Sequence, residues 1–198
     1  MIKSDLYALE VIDAPDSEPV TLQEAIAYLR EDENIAQTDL IESLIISARV
    51  NAEIYLQRAL LTTQYTMYLD RFGDPCEQIS LPRSTVISVD AIRYLDDAGV
   101  QQTLSSSLYR AETKTLRGRI TPAYGQTWPT VRPVTNAVEI DFTAGYGEAA
   151  DVPEAIKTAI KYMVYHWYQN RVPVITGSIA QKIPLTAEQL LSPYRARG

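Results

Sequence analysis

Apolar and polar positions along this chain keep a helical step, change to a strand step near residue 62, and return to a helical step near residue 151. The residues ahead of Val20 show neither step and read as an irregular start. Val20-Thr21-Leu22-Gln23-Glu24 then sets a threonine three residues before a glutamate. At that spacing the two side chains satisfy each other's free backbone donors, so a short helix is predicted from about 21 to 30. Asp39-Leu40-Ile41-Glu42 repeats the device, and Leu40, Ile41, Leu44, Ile45, Ala48, Ala52, Tyr55, Leu56 and Ala59 follow at three- and four-residue steps. They predict a long amphipathic helix reaching about residue 58.

From Thr62 the period is two. Tyr65, Met67 and Leu69 alternate with Thr66, Tyr68 and Asp70 until Gly73-Asp74-Pro75 stops the run. Further strands read at about 77–81, 86–95, 100–104, 108–112, 116–121 and 137–143. Asp96-Asp97-Ala98-Gly99 is a hairpin signal, with Gly99 suited to a positive φ. Residues 122–133 hold three prolines, a glycine, Tyr124 and Trp128, and cannot form regular structure. Two readings stay open there: a loop folded back so that Trp128 covers a core edge, or a projecting loop whose Tyr124 and Trp128 anchor a partner.

After Gly145-Tyr146-Gly147, Asp151-Val152-Pro153-Glu154 starts a helix with Asp151 as its cap and an apolar stripe of Ile156, Ala159, Ile160, Met163, Val164 and Trp167. It ends near Asn170, and a tail follows with a short helical candidate at about 186–191. Together these segments predict an α+β fold: a helical base of two N-terminal helices and one C-terminal helix, with an inserted antiparallel β unit. The expected organisation is one subunit over 1–198, helical in 19–60 and 151–198 and β in 61–150.

Composition adds few constraints. At 46% hydrophobic and 22% charged residues the chain is of ordinary globular type, and no run approaches the roughly 18 apolar residues of a membrane span, so a soluble protein with no membrane partner is expected. The acidic early residue and missing apolar stretch at Met1-Ile2-Lys3-Ser4-Asp5 lead to the expectation of no targeting segment and of cytosolic synthesis. Charge changes the picture more. The net value is -7, unevenly spread: 12 acidic against 4 basic residues in 1–60, 10 against 8 in 61–150, and 3 against 6 in 151–198. An acidic chain lacks the many Lys/Arg contacts that hold DNA phosphates, so stable DNA binding is disfavoured. The opposite charge of the two ends reads either as solvated helix faces or as surfaces that meet between subunits.

The usual catalytic parts are missing. His166 is the one histidine and sits among aromatics in Tyr162-Met163-Val164-Tyr165-His166-Trp167-Tyr168. Cys76 has no second cysteine to pair with, and no phosphate-binding loop, nucleophile elbow or zinc signature is present, so no catalytic, cofactor or metal residue is assigned and no cofactor is expected. Paired carboxylates, Asp96 with Asp97 or Glu139 with Asp141, fit a hairpin turn and the wet side of a strand. They leave open one alternative, a carboxylate-based hydrolase of cell-wall glycans. Another is a monomeric β-rich binding module.

Several segments in order resemble the head-to-tail connector (adaptor, head-completion) family of long-tailed phages, prophages and gene-transfer agents. They are Pro19-Val20-Thr21-Leu22-Gln23-Glu24-Ala25, Leu81-Pro82-Arg83-Ser84 through Tyr94-Leu95-Asp96, residues 120–129, Phe142-Thr143-Ala144-Gly145-Tyr146-Gly147, Val152-Pro153-Glu154-Ala155-Ile156-Lys157 and Leu190-Leu191-Ser192-Pro193-Tyr194-Arg195. The resemblance runs from about residue 19 to the end and leaves the first 18 residues without a role. It implies a non-enzymatic virion protein, typically a dodecameric ring, assembled in the host cytoplasm and placed between portal and tail or stopper protein. DNA would pass through that ring without specific binding. The tail with Leu190, Leu191, Tyr194 and Arg195 is the candidate for portal docking, its alternative being to pack on its own subunit.

Overall fold

The protein is described here by a computed structural model covering residues 7–31, 37–115, 117–170 and 183–196. The chain forms two compact units, Met1–Pro15 with Thr62–Tyr146, and Asp16–Leu61 with Gly147–Gly198.

The first unit holds eight strands among the described residues: β1 (Tyr7–Asp13), β2 (Thr63–Leu69), β3 (Ile79–Ser84), β4 (Val86–Leu95), β5 (Gln101–Thr103), β6 (Tyr109–Glu112), β7 (Arg117–Pro122) and β8 (Val138–Ala144). They make a five-stranded sheet in the order β1-β2-β8-β4-β5 and a three-stranded sheet in the order β3-β7-β6. Every pairing is antiparallel. Strict alternation on the central strand β8 buries Val138, Ile140, Phe142 and Ala144. These oppose Leu69, Met67, Tyr65 and Thr63 of β2, so one face is a continuous apolar layer in which Tyr65 and Phe142 stack at 5.4 Å. The other face is polar and internally paired. Arg93 reaches Glu139 at 3.0 Å and Asp141 at 2.6 Å, Thr66 donates to Asp141, and Tyr68 donates to Glu10.

The chain crosses from one sheet to the other at Thr85, a β-branched residue at φ +63°, whose carbonyl accepts from the Gly145 N–H at 2.9 Å. Close approach also explains Gly118 on β7. A Cβ there would lie 2.5 Å from Val86 Cγ2, so only glycine lets the strands pack.

These observations correct the expected architecture. A strand precedes the helices: β1, in the stretch read as irregular, pairs with β2 from Tyr7 opposite Leu69 to Asp13 opposite Gln64. The β region is two sheets instead of one inserted antiparallel unit, and four α-helices are present among the described residues. The physical reason is that β1 exists through its backbone bonds to a strand some fifty residues later, while its own side-chain pattern is half-exposed and weakly alternating.

The second unit holds α1 (Leu22–Leu29), α2 (Thr38–Leu56), α3 (Glu154–Gln169) and α4 (Leu185–Leu191), followed by a 3-10 turn at Ser192–Tyr194. At the start of α1 Thr21 and Glu24 exchange the two expected bonds, and the backbone N–H of Thr21 donates to Glu24 Oε2 at 2.7 Å. Helix α2 begins one residue before Asp39, with Gln37 as N-cap and no side-chain bond. Asp151 likewise is not the cap of α3, a place taken by Pro153; its carboxylate accepts from the Glu148 N–H at 2.9 Å and closes a preceding 3-10 turn. Arg49 of α2 ties segments together by pairing with Glu18 at 2.7 Å and Glu53 at 3.1 Å, while Glu53 also accepts from the Leu60 N–H. No helix among the described residues is long and apolar enough to cross a membrane.

Candidate functional site

The carboxylates Asp96, Glu139 and Asp141 are engaged in structure. Asp96 accepts from the Val100 N–H at 2.9 Å and from Gln102 at 2.8 Å, and these bonds, the backbone one foremost, hold its carboxyl below the usual aspartate range. It shapes the hairpin between β4 and β5. Glu139 and Asp141 are both held by Arg93. His166 is exposed on α3, its Nδ1 3.2 Å from the Asn170 amide, and Cys76 is exposed. Among the described residues no three His, Cys, Asp or Glu side chains gather as metal ligands.

The loop over residues 122–133 separates its two aromatics. Trp128 is only 7% exposed: its ring stacks on Phe72 at 4.8 Å with the planes 5° apart, and Nε1 donates to the Glu77 carbonyl at 2.8 Å. It closes an edge of the core. Four residues earlier Tyr124 is fully exposed at the tip, beside Gly125 at φ +76° with open space around it.

The tail is divided in the same way. Leu191 is fully buried in the helical unit, Leu190 and Tyr194 are half-buried, and Arg195 is exposed. Arg195 lies over the Tyr55 ring at 5.0 Å, Tyr55 donates to Glu188 at 3.4 Å, and the Ala196 N–H donates to the Leu56 carbonyl at 3.0 Å. The segment is thus pinned to the end of α2.

Two further surfaces escaped the sequence reading. Ile46, Val50 and Ile54 are exposed along α2, on the side away from its buried Ile41, Ile45, Ala48, Ala52 and Leu56. On α1 and α3, Tyr28, Tyr162 and Tyr165 meet edge to face, with centroids 5.8 and 6.3 Å apart. Burial raises the Tyr28 phenol above its ordinary pKa, assisted by a hydrogen bond with Tyr162. The four-residue spacing of Ile46, Val50 and Ile54 was legible in the sequence, but the stronger stripe on the other side of the helix masked the signal.

The likeness of this chain to known proteins lies in its fold. No protein-family model matches it, and no curated protein does. Solved structures do. A chain of the neck of an empty gene transfer agent (GTA) particle, computed with C6 symmetry, is 23% identical and superposes with a TM-score of 0.78 over 96% of each chain. The chain shares the fold of GTA neck components. Over the same coverage it is 24% identical to a chain in the virion of a native gene transfer agent particle, with a TM-score of 0.75. For the neck of the native particle, computed with C12 symmetry, the values are 23% and 0.71.

Proposed function

We propose that this protein is a structural virion component of the neck, a head-to-tail connector subunit that forms a ring between portal and tail and continues the DNA channel. The observation that carries this is the fold shared over 96% of both chains with neck components of a phage-like particle. The ordered connector-like segments from residue 19 onward support it from the sequence. The symmetry of those necks favours a cyclic assembly, and the excess of acid suits a lumen through which DNA slides, because like charge opposes sticking. Assembly in the host cytoplasm and a final place at the head-tail junction follow from the same reading.

The candidate contacts take specific forms. For portal docking we favour Leu190, Tyr194 and Arg195 as the touching groups, with Leu191 as the buried anchor that holds them. For contact with a neighbour or the next ring we favour Tyr124, with Trp128 fixing the loop that carries it.

The deciding experiment is electron microscopy of the full-length chain, alone and mixed with its portal, together with deletion of its gene in the producing strain. Rings that stack on the portal, and DNA-filled heads without tails in the deletion, are expected. A chain that stays monomeric with portal present, and a deletion that still yields tailed particles, would overturn the proposal.

A further inference from the structure

Two apolar faces of the helical unit stand in solvent. Ile46, Val50 and Ile54 lie one turn apart on α2, and Ile54 is 63% exposed. At 3.6 residues per turn the centre of this stripe is roughly 160° round the helix from the centre of its buried stripe. β-Branched residues are poorer helix formers than Leu, Lys or Glu, so three of them on an exposed face gain nothing for the isolated subunit. Ser43, Ser47 and Asn51 beside them are short, which leaves the three side chains standing as a ridge.

The second face is the tyrosine cluster. Tyr165 follows the buried Ile156 by nine residues, half a revolution round α3, and Tyr162 lies next to it on the same outer side. Tyr28 of α1 packs edge-on against both, so the three rings form one ordered amphipathic platform. Helices α2 and α3 pack on each other through their buried stripes. The ridge and the platform therefore look out from opposite sides of that helix pair.

We infer that each copy of this chain seats the Ile46, Val50 and Ile54 ridge on the Tyr28, Tyr162 and Tyr165 platform of the next copy, and that this contact closes the ring. The inference rests on the ring reading above. A cyclic assembly of more than two copies needs two different faces, set on opposite sides of the subunit, that fit each other; a two-fold dimer would use one face and leave the other bare. At the level of whole segments charge agrees: residues 1–60, which carry the ridge, hold 12 acidic against 4 basic residues, and residues 151–198, which carry Tyr162 and Tyr165, hold 3 against 6, with Lys161 itself paired to Glu154 at 3.1 Å. Aromatic groups held rigid by one another are also the side chains that lose least freedom when an apolar partner covers them.

The test uses the full-length chain with the exposed Cys76 changed to serine, carrying Val50→Cys together with Tyr165→Cys. It is assembled alone or on its portal and treated with a short bismaleimide. A ladder of covalent multimers ending at the ring size is expected, with each single cysteine variant giving none. Ile54→Asp, at an exposed position, is expected to keep the parent's melting temperature and lose the ring species in mass photometry. Parent rings that give no ladder, or Ile54→Asp rings formed in the parent's yield, overturn the face assignment and leave the ring reading standing. A parent that forms no ring, alone or on portal, removes both.

Discussion

Trp128 and Tyr124 lie four residues apart, and the structure assigns them opposite sensitivities. Replacing Trp128 by alanine removes a ring stacked on Phe72 at 4.8 Å and the donor to the Glu77 carbonyl at 2.8 Å, at a site only 7% exposed. Truncation of a buried aromatic to alanine costs about 3–5 kcal/mol. In a protein of this length each kcal/mol lowers the melting temperature by about 2–4 °C, so a fall of about 10 °C is expected. Trp128→Phe retains a ring over Phe72 and loses mainly the hydrogen bond, which is worth about 1 kcal/mol. Tyr124→Ala removes an exposed side chain and stays within about 0.5 kcal/mol of the parent. Urea and thermal unfolding followed by circular dichroism give the three values directly. A Trp128→Ala protein melting within about 2 °C of the parent refutes the anchoring argument, as does a Tyr124→Ala protein destabilised as much as Trp128→Ala.

Gly118→Ala puts a Cβ against Val86 and is expected to cost about 1–3 kcal/mol in urea unfolding, and Val86→Ala in the same chain should recover part of that loss. Arg49→Met leaves Glu18 and Glu53 without their shared partner at a largely buried place, and a loss of about 2–3 kcal/mol is expected by the same measurement. The backbone bond with Thr21 holds the Glu24 carboxyl below its ordinary pKa. Its contribution is therefore present at neutral pH and is lost as pH falls below the ordinary glutamate value and on through the folded one. A Glu24→Gln chain should show a shallower acid limb in stability against pH. The difference is a few tenths of a kcal/mol, because the group is exposed and screened.

What could be read from the sequence was local. Thr21 and Glu24 lie within one turn of each other, so their mutual capping follows from spacing alone. The alternation of Val138, Ile140, Phe142 and Ala144 names the buried face of β8 wherever its partners come from, and Gly99 takes the positive φ, +81°, that its turn demands. Period and turn chemistry are properties of a few neighbouring residues, and packing only has to agree with them. The tertiary structure alone decided matters that depend on distant partners. Strand β1 was hidden because a weakly patterned edge strand is defined by the backbone it bonds to, here β2. The division of the strands into two sheets turns on Thr85 and Gly118, where a left-handed backbone and a missing Cβ let the chain change layers. Tyr124 and Trp128 looked alike in sequence, and only the presence of Phe72 and the Glu77 carbonyl beside one of them separated anchor from exposed tip. The ridge on α2 is the same lesson in reverse. The helical period says that Ile46, Val50 and Ile54 share a face, but burial elsewhere on the helix is what leaves that face exposed.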